Sequence, residues 1–279
     1  MPASILVLSS AVLLAFLNIP ATAGDLKIVT RQTVNGRAYT TTQYFSASSL
    51  RFQTDSGSDN VEGHHLATIV HHGDTTSQNF QLDLDAREYT TYETDKRGIA
   101  LNAKSYPARP SEGRMDIWIE SKDTGERRQM FGHTARHIIT TEKRVPGAGS
   151  SCTASETETD GWYVDYSILP EWRRPTGHTI NLVVGGNCRD KIEVHRSGVE
   201  TGFALERKDT SIYRGTDGSQ PVTSVSVMEV VEFSEGPLDP ALFEPPSDFR
   251  RVNELTSMNK FQPRTPWQKV KNWVSEIFR

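Results

Sequence analysis

Between residues 25 and 94, apolar and polar side chains alternate in short runs, each ended by turn-forming residues. Leu26, Ile28 and Thr30 fall on one side of an extended chain, and Lys27, Val29 and Arg31 on the other. Phe80, Leu82 and Leu84 alternate in the same way with Gln81, Asp83 and Asp85. A period of two marks a strand, because successive side chains point to opposite faces of a sheet. Asn35-Gly36 separates the first two runs and predicts a tight hairpin, since both residues accept positive φ. Ser46 to Ser48, a polar stretch at 55–60, Gly73-Asp74 and Asp85-Ala86-Arg87 end the later runs. The pattern predicts six strands in an antiparallel meander, with no helical period.

Further strands are expected from Met115 to Ser121 and Arg127 to Phe131, as a hairpin across Asp123-Thr124-Gly125, and at 132–141, 156–166, 179–184, 191–195, 202–207 and 222–233. A short helical turn is expected at 238–243, between prolines. The predicted fold class is mainly β: one antiparallel sheet begun by the meander and extended by the later strands. The C-terminus changes period. Thr265, Pro266 and Gln268 form an N-cap, a first-turn proline and a capping-box partner. After them Trp267, Val270, Trp273, Val274, Ile277 and Phe278 make one apolar stripe. This predicts an amphipathic helix whose stripe serves as a lid over the sheet, a membrane-surface contact or a protein-docking face.

Residues 1–24 carry no charged side chain, and the apolar run from Ile5 to Ile19 ends in Pro20-Ala21-Thr22-Ala23. This reads as a signal peptide cleaved after Ala23, so the protein is expected in the periplasm or outside the cell. Residues 24–250 then form a single β domain, and residues 251–279 a linker and the C-terminal helix. A net charge of -4 argues against a nucleic-acid binder, which needs a concentrated basic surface. The two cysteines, Cys152 and Cys188, predict a disulfide in an exported chain, contributing about 3–4 kcal/mol through loop closure.

Several stretches together resemble the LolA/LolB-type periplasmic lipoprotein-carrier fold, and more closely the uncharacterised secreted proteins related to it. They are Asp25-Leu26-Lys27-Ile28, Ser49-Leu50-Arg51-Phe52, Ile69-Val70-His71-His72-Gly73-Asp74, residues 80–89, residues 132–141, Gly161-Trp162-Tyr163-Val164-Asp165, Gly202-Phe203-Ala204-Leu205 and Leu242-Phe243-Glu244-Pro245-Pro246. The resemblance implies a curved half-barrel sheet with few helices, whose concave apolar face binds acyl chains or lipidated partners without covalent chemistry.

Catalytic signatures are absent from the sequence: no Gly-x-Ser-x-Gly, His-Glu-x-x-His, phosphate loop or Cys-x-x-Cys occurs. The expectation is a protein that is not an enzyme and needs no cofactor. His64, His65, His71 and His72 flank one strand, and His133 and His137 share the face of another. Strand rise separates His65 from His71 by about 20 Å and His133 from His137 by about 13 Å, so no metal site is expected from either group. Asp83 and Asp85 read as a solvated pair. The candidate ligand-lining residues are Phe45, Leu50, Phe52, Ile69, Phe80, Leu82, Tyr89, Ile117 and Trp162; an ordinary core would use the same residues. Two functions remain open at this point. One is binding of a hydrophobic or lipidated ligand, at about 0.8 kcal/mol per buried CH₂; the other is a structural or envelope-sensing module that binds another protein.

Overall fold

The computed structural model describes residues 24–56, 65–95, 100–101, 113–150, 152–169, 190–214 and 220–259. The expected signal peptide, the strand at 179–184, His64, Cys188 and the C-terminal helix with Trp267, Val270, Trp273, Val274, Ile277 and Phe278 lie outside them.

The described chain forms one open, curved sheet. Its strands are β1 (Leu26–Val34), β2 (Arg37–Phe45), β3 (Ser49–Ser56), β4 (Leu66–His72), β5 (Thr76–Asp83), β6 (Glu88–Asp95), β7 (Arg114–Met130), β8 (His133–Pro146), β9 (Ala154–Val164), β10 (Lys191–Gly198), β11 (Phe203–Arg214), β12 (Val222–Glu235) and β13 (Arg250–Arg251). The 13 strands run in the order β10-β7-β8-β9-β11-β12-β1-β2-β3-β4-β5-β6-β13. Only the outermost strands join in parallel, β10 on β7 and β13 on β6.

The meander forms as its alternation requires. Asn35 and Gly36 take φ of 49° and 83°, a hairpin geometry whose twist matches that of the flanking strands. β1 is shared between the halves of the sheet, pairing with β2 on one side and β12 on the other. Around this seam Leu26, Ile28, Phe45, Ala135, Val164, Leu169, Leu205 and Val230 pack into the central cluster, with Leu50, Trp162, Tyr166 and Ile168 against it. A 3-10 turn, Tyr166–Ile168, follows β9; the side chain of Asp165 caps it by accepting the N–H of Ser167.

One expected turn is not a turn. Arg114 to Met130 is a single strand of 17 residues, and Asp123-Thr124-Gly125 is a bulge where its register against β8 shifts. Gly125 supplies a φ of 89°, and Asp123 Oδ1 accepts the Gly125 N–H at 2.8 Å, so a turn-like motif is satisfied locally without reversing the chain. The reversal falls at Phe131 and Gly132, both at positive φ.

That bulge belongs to a row. β11 shifts against β9 between Ala204 and Glu206, and β1 shifts against β12 between Val29 and Thr30. The pairings Arg136↔Tyr163, Trp162↔Glu206 and Glu206↔Glu229 place the three bulges at one level across the sheet. Bulges bend a strand and increase its twist, so the row adds local bend and twist to β7, β11 and β12 or their partners at this level. On it Gly161 lies under the Tyr163 ring: an added Cβ would meet Tyr163 Cε2 at 2.7 Å and the Glu206 carbonyl oxygen at 3.0 Å. Burial pushes the Tyr163 hydroxyl up to about 12. Gly161→Ala is expected to cost about 1–3 kcal/mol by overpacking, measured as a fall in the urea midpoint. A neutral result would show that the ring is free to move.

Candidate functional site

Directly paired residues share a face of a sheet, so the register tests whether the expected ligand-lining side chains converge. Leu26 pairs with Phe45, Phe45 with Leu50 and Leu50 with Val70, which puts Phe45 and Leu50 on the face of the central cluster, with Phe52 two residues further along β3. Arg51 pairs with Ile69, Ile69 with Phe80 and Leu82 with Tyr89, and this set lies on the opposite face. There Ile69, Leu82 and Ala67 pack with Phe80, Tyr89 and Tyr44 under Leu238, Leu242, Phe243 and Phe249. The cover is the 3-10 turn Pro240–Phe243, capped by Asp239. Ile117 lies in a third cluster with Met115, Ile119 and Cys152, while Phe52 is 37% exposed. The nine residues therefore occupy two faces and three clusters, and most of them pack against the chain's own segments.

The polar candidates also have structural work. His71 donates from Nε2 to the Phe243 carbonyl oxygen at 2.6 Å and stacks edge-on against Phe80, which ties the cover to β4. His137 stacks on Trp162 and donates from Nε2 to Asp160 at 2.7 Å. His133 lies edge-on to Phe233. Asp83 is not solvated. It is fully buried, and its Oδ1 accepts the N–H groups of Asp85 and Ala86, building the β5–β6 turn. Asp85 is exposed and pairs with His65, whose backbone N–H holds the Asp85 carboxyl below its ordinary range.

A different surface stands out below the row of bulges. Residues 139–146 of β8, 154–160 of β9, 206–214 of β11, 222–229 of β12 and 30–34 of β1 include no buried residue on either face. On one face hydroxyls satisfy one another and their neighbours: Ser121 with Thr140 and Thr157 with Ser211 at 2.9 Å, and Thr159 with Asp209 at 2.8 Å. The other face reads Ile139, Asp160, Lys208, Val227 and Thr33 across successive strands. The next row holds Thr141, Glu158, Thr210 and Val225, and the row through Glu156, Lys143 and Trp118 reaches β7. Val225 and Val227 are each 37% exposed and Trp118 is 53% exposed. Four strand spacings across the sheet and four residues along it separate Trp118 from Val227, about 23 Å.

At the outer end of this face, β10 brings His195 opposite Trp118 and Glu193 opposite Asp116. The His195 ring stacks on Trp118 at 4.0 Å between centroids and donates from Nε2 to Asp116 Oδ1 at 3.1 Å. Arg114 reaches both Asp116 at 2.8 Å and Glu193 at 3.1 Å, and its hydrogen bond holds the Asp116 carboxyl below its ordinary range. A cleft of about 170 Å³ opens beside the stack, lined by Trp118, Glu120, Lys143, His195 and Ser197 among others. β10 ends at Gly198, whose φ of 88° and close approach to the Ser121 carbonyl exclude any Cβ. Neither Trp118 nor this corner was among the residues singled out in the sequence, because β10 reaches β7 by a parallel pairing that alternation does not encode.

Among the described residues no helix is long and apolar enough to cross a membrane. No family model and no curated protein matches this chain. Among solved structures, MucB in complex with MucA(peri) is similar over 77% of this chain and 94% of that one, at 8% identity and a TM-score of 0.13, a level of likeness that carries no argument about function.

Proposed function

We propose that this is an exported, non-catalytic module that binds another protein through the uncovered face of its sheet, with Trp118, Val225 and Val227 as anchors. The observation that carries this reading is that, among the described residues, the stretch from β8 to β1 includes no buried residue on either face. A sheet is ordinarily covered on at least one side, and here aliphatic and aromatic side chains sit exposed among charges of both signs. Trp118 with Lys143, Glu156, Glu158, Asp160 and Lys208 gives an aromatic anchor with a mixed-charge surround, the composition of a protein-recognition surface. The residues expected to line an acyl-chain site are largely engaged in internal packing. Binding of a hydrophobic or lipidated ligand at the central cluster, against which Tyr166 and Ile168 pack, is the second reading.

Photo-crosslinking residues placed at Val225 and at Glu244 in the native envelope test the choice. Position 225 is expected to give a discrete protein adduct that disappears with Val227→Asp or Trp118→Ala, and position 244 to give none. Lipid adducts in place of protein, or adducts indifferent to those substitutions, would exclude the proposed face.

A further inference from the structure

We infer that Asp116, Glu193 and His195 form a binding site for a divalent transition-metal ion, with Arg114 as the cation that competes for the same carboxylates. Their ligand atoms lie within 4.8 Å of one another. The parallel register makes this possible: Asp116 is directly opposite Glu193, and His195 lies two residues further along β10 on the same face. Bonds of about 2.0–2.1 Å to a tetrahedral ion separate neighbouring ligand atoms by about 3.3 Å. The 3.1 Å between His195 Nε2 and Asp116 Oδ1 is already near that value. Glu193 offers its carboxylate from an exposed side chain within the same 4.8 Å.

Two further features favour an ion here. Stacking on Trp118 fixes the plane of the imidazole, as an outer-shell contact does in metal sites. The adjoining cleft, lined in part by His195, lets solvent or a further ligand reach the remaining coordination position. One imidazole with two carboxylates selects zinc-like ions over magnesium and calcium, which take all-oxygen ligand sets. Arg114 bridges both carboxylates from a side chain more than half exposed, and surface ion pairs of this kind are weakly held, so the guanidinium can swing out when an ion enters. Trp118 is shared with the proposed protein-binding face, but the ligands Asp116, Glu193 and His195 lie only at the corner where β10 meets β7, and the zinc titration needs no protein partner.

Titration of the purified protein with zinc chloride, followed by calorimetry and by tryptophan emission, tests it. One ion per chain is expected, with a change in emission from Trp118 through the stacked ring. His195→Ala is expected to weaken binding at least tenfold and Arg114→Ala to tighten it several-fold; Trp118→Phe should keep the stoichiometry and lose the optical signal. His195→Gln serves the same purpose should the alanine variant not fold. Zinc taken up equally well without the imidazole, no saturable uptake, or magnesium bound as tightly as zinc would each overturn the assignment.

Discussion

Phe45→Ala is expected to lower the free energy of unfolding by about 3–5 kcal/mol, read as a shift of the urea midpoint at unchanged slope. Phe45 is 1% exposed and sits between Leu26 on β1 and Leu50 on β3. Its cluster also holds Val164, Leu205 and Val230 from the other half of the chain. Backbone ladders fix the strands on both sides, so the space left by the ring cannot collapse and a cavity cost adds to the lost transfer energy. Phe52, on the same strand face as Leu50 but partly exposed, should cost less than about 1.5 kcal/mol on truncation. The comparison also separates the two functional readings. Were Phe45 the lining of a hollow ligand site, its loss would open no new cavity, and the cost would fall to about 2 kcal/mol or less, the transfer energy alone. A loss that small, with the slope unchanged, would favour acyl-chain binding over the protein-binding reading.

The meander was legible because its information is local. Asn35-Gly36 specifies a turn by backbone chemistry alone, and Leu26, Ile28, Phe80 and Leu82 specify strands by period. Local signals mislead where two outcomes share one chemistry: Asp123-Thr124-Gly125 satisfies its own N–H groups equally well as a turn or as a bulge, and only the long pairing of β7 with β8 decides between them. Which face each strand buries was not legible either. Leu50 and Ile69 are both apolar strand residues, yet the register sends them to opposite sides, and a period of two cannot say which side a neighbouring strand will share. The site corner was hidden for a stronger reason. His195 meets Asp116 across 79 positions in the chain, through a parallel edge pairing with no turn to announce it. The exposed valines of β12 look in sequence like any buried strand; their exposure follows from β12 being long enough to continue past the row of bulges, beyond the packed clusters.

The second large effect is expected at Glu88, where the covering segment is fastened to the sheet edge. Its carboxylate, almost fully buried, accepts the Thr256 N–H at 3.1 Å and the Thr256 hydroxyl at 2.7 Å, and is paired with Arg250. Beside these contacts Leu255 and Ser257 are buried as well, so one carboxylate secures both β13 and the short helix Thr256–Asn259. Removing it by Glu88→Gln leaves the arginine without its counter-charge and weakens both Thr256 bonds, a loss of about 2–3 kcal/mol at neutral pH. The hydrogen bonds from Thr256, and after them Arg250, hold the Glu88 carboxyl below its ordinary range. A carboxyl depressed in the folded state stabilises that state above its unfolded value, about 4.3, and the contribution is lost as pH falls through the folded value. The wild type should therefore exceed Glu88→Gln by a constant margin from pH 7 to about pH 5, and the margin should close below about pH 4. Hydrogen exchange at the amides of Arg250 and Val252, which donate to Arg87 and Tyr89, reports whether the loss is local detachment of β13 or global unfolding. A margin that widened on acidification would show that Glu88 is held protonated, and would exclude its part as the anionic anchor of the cover.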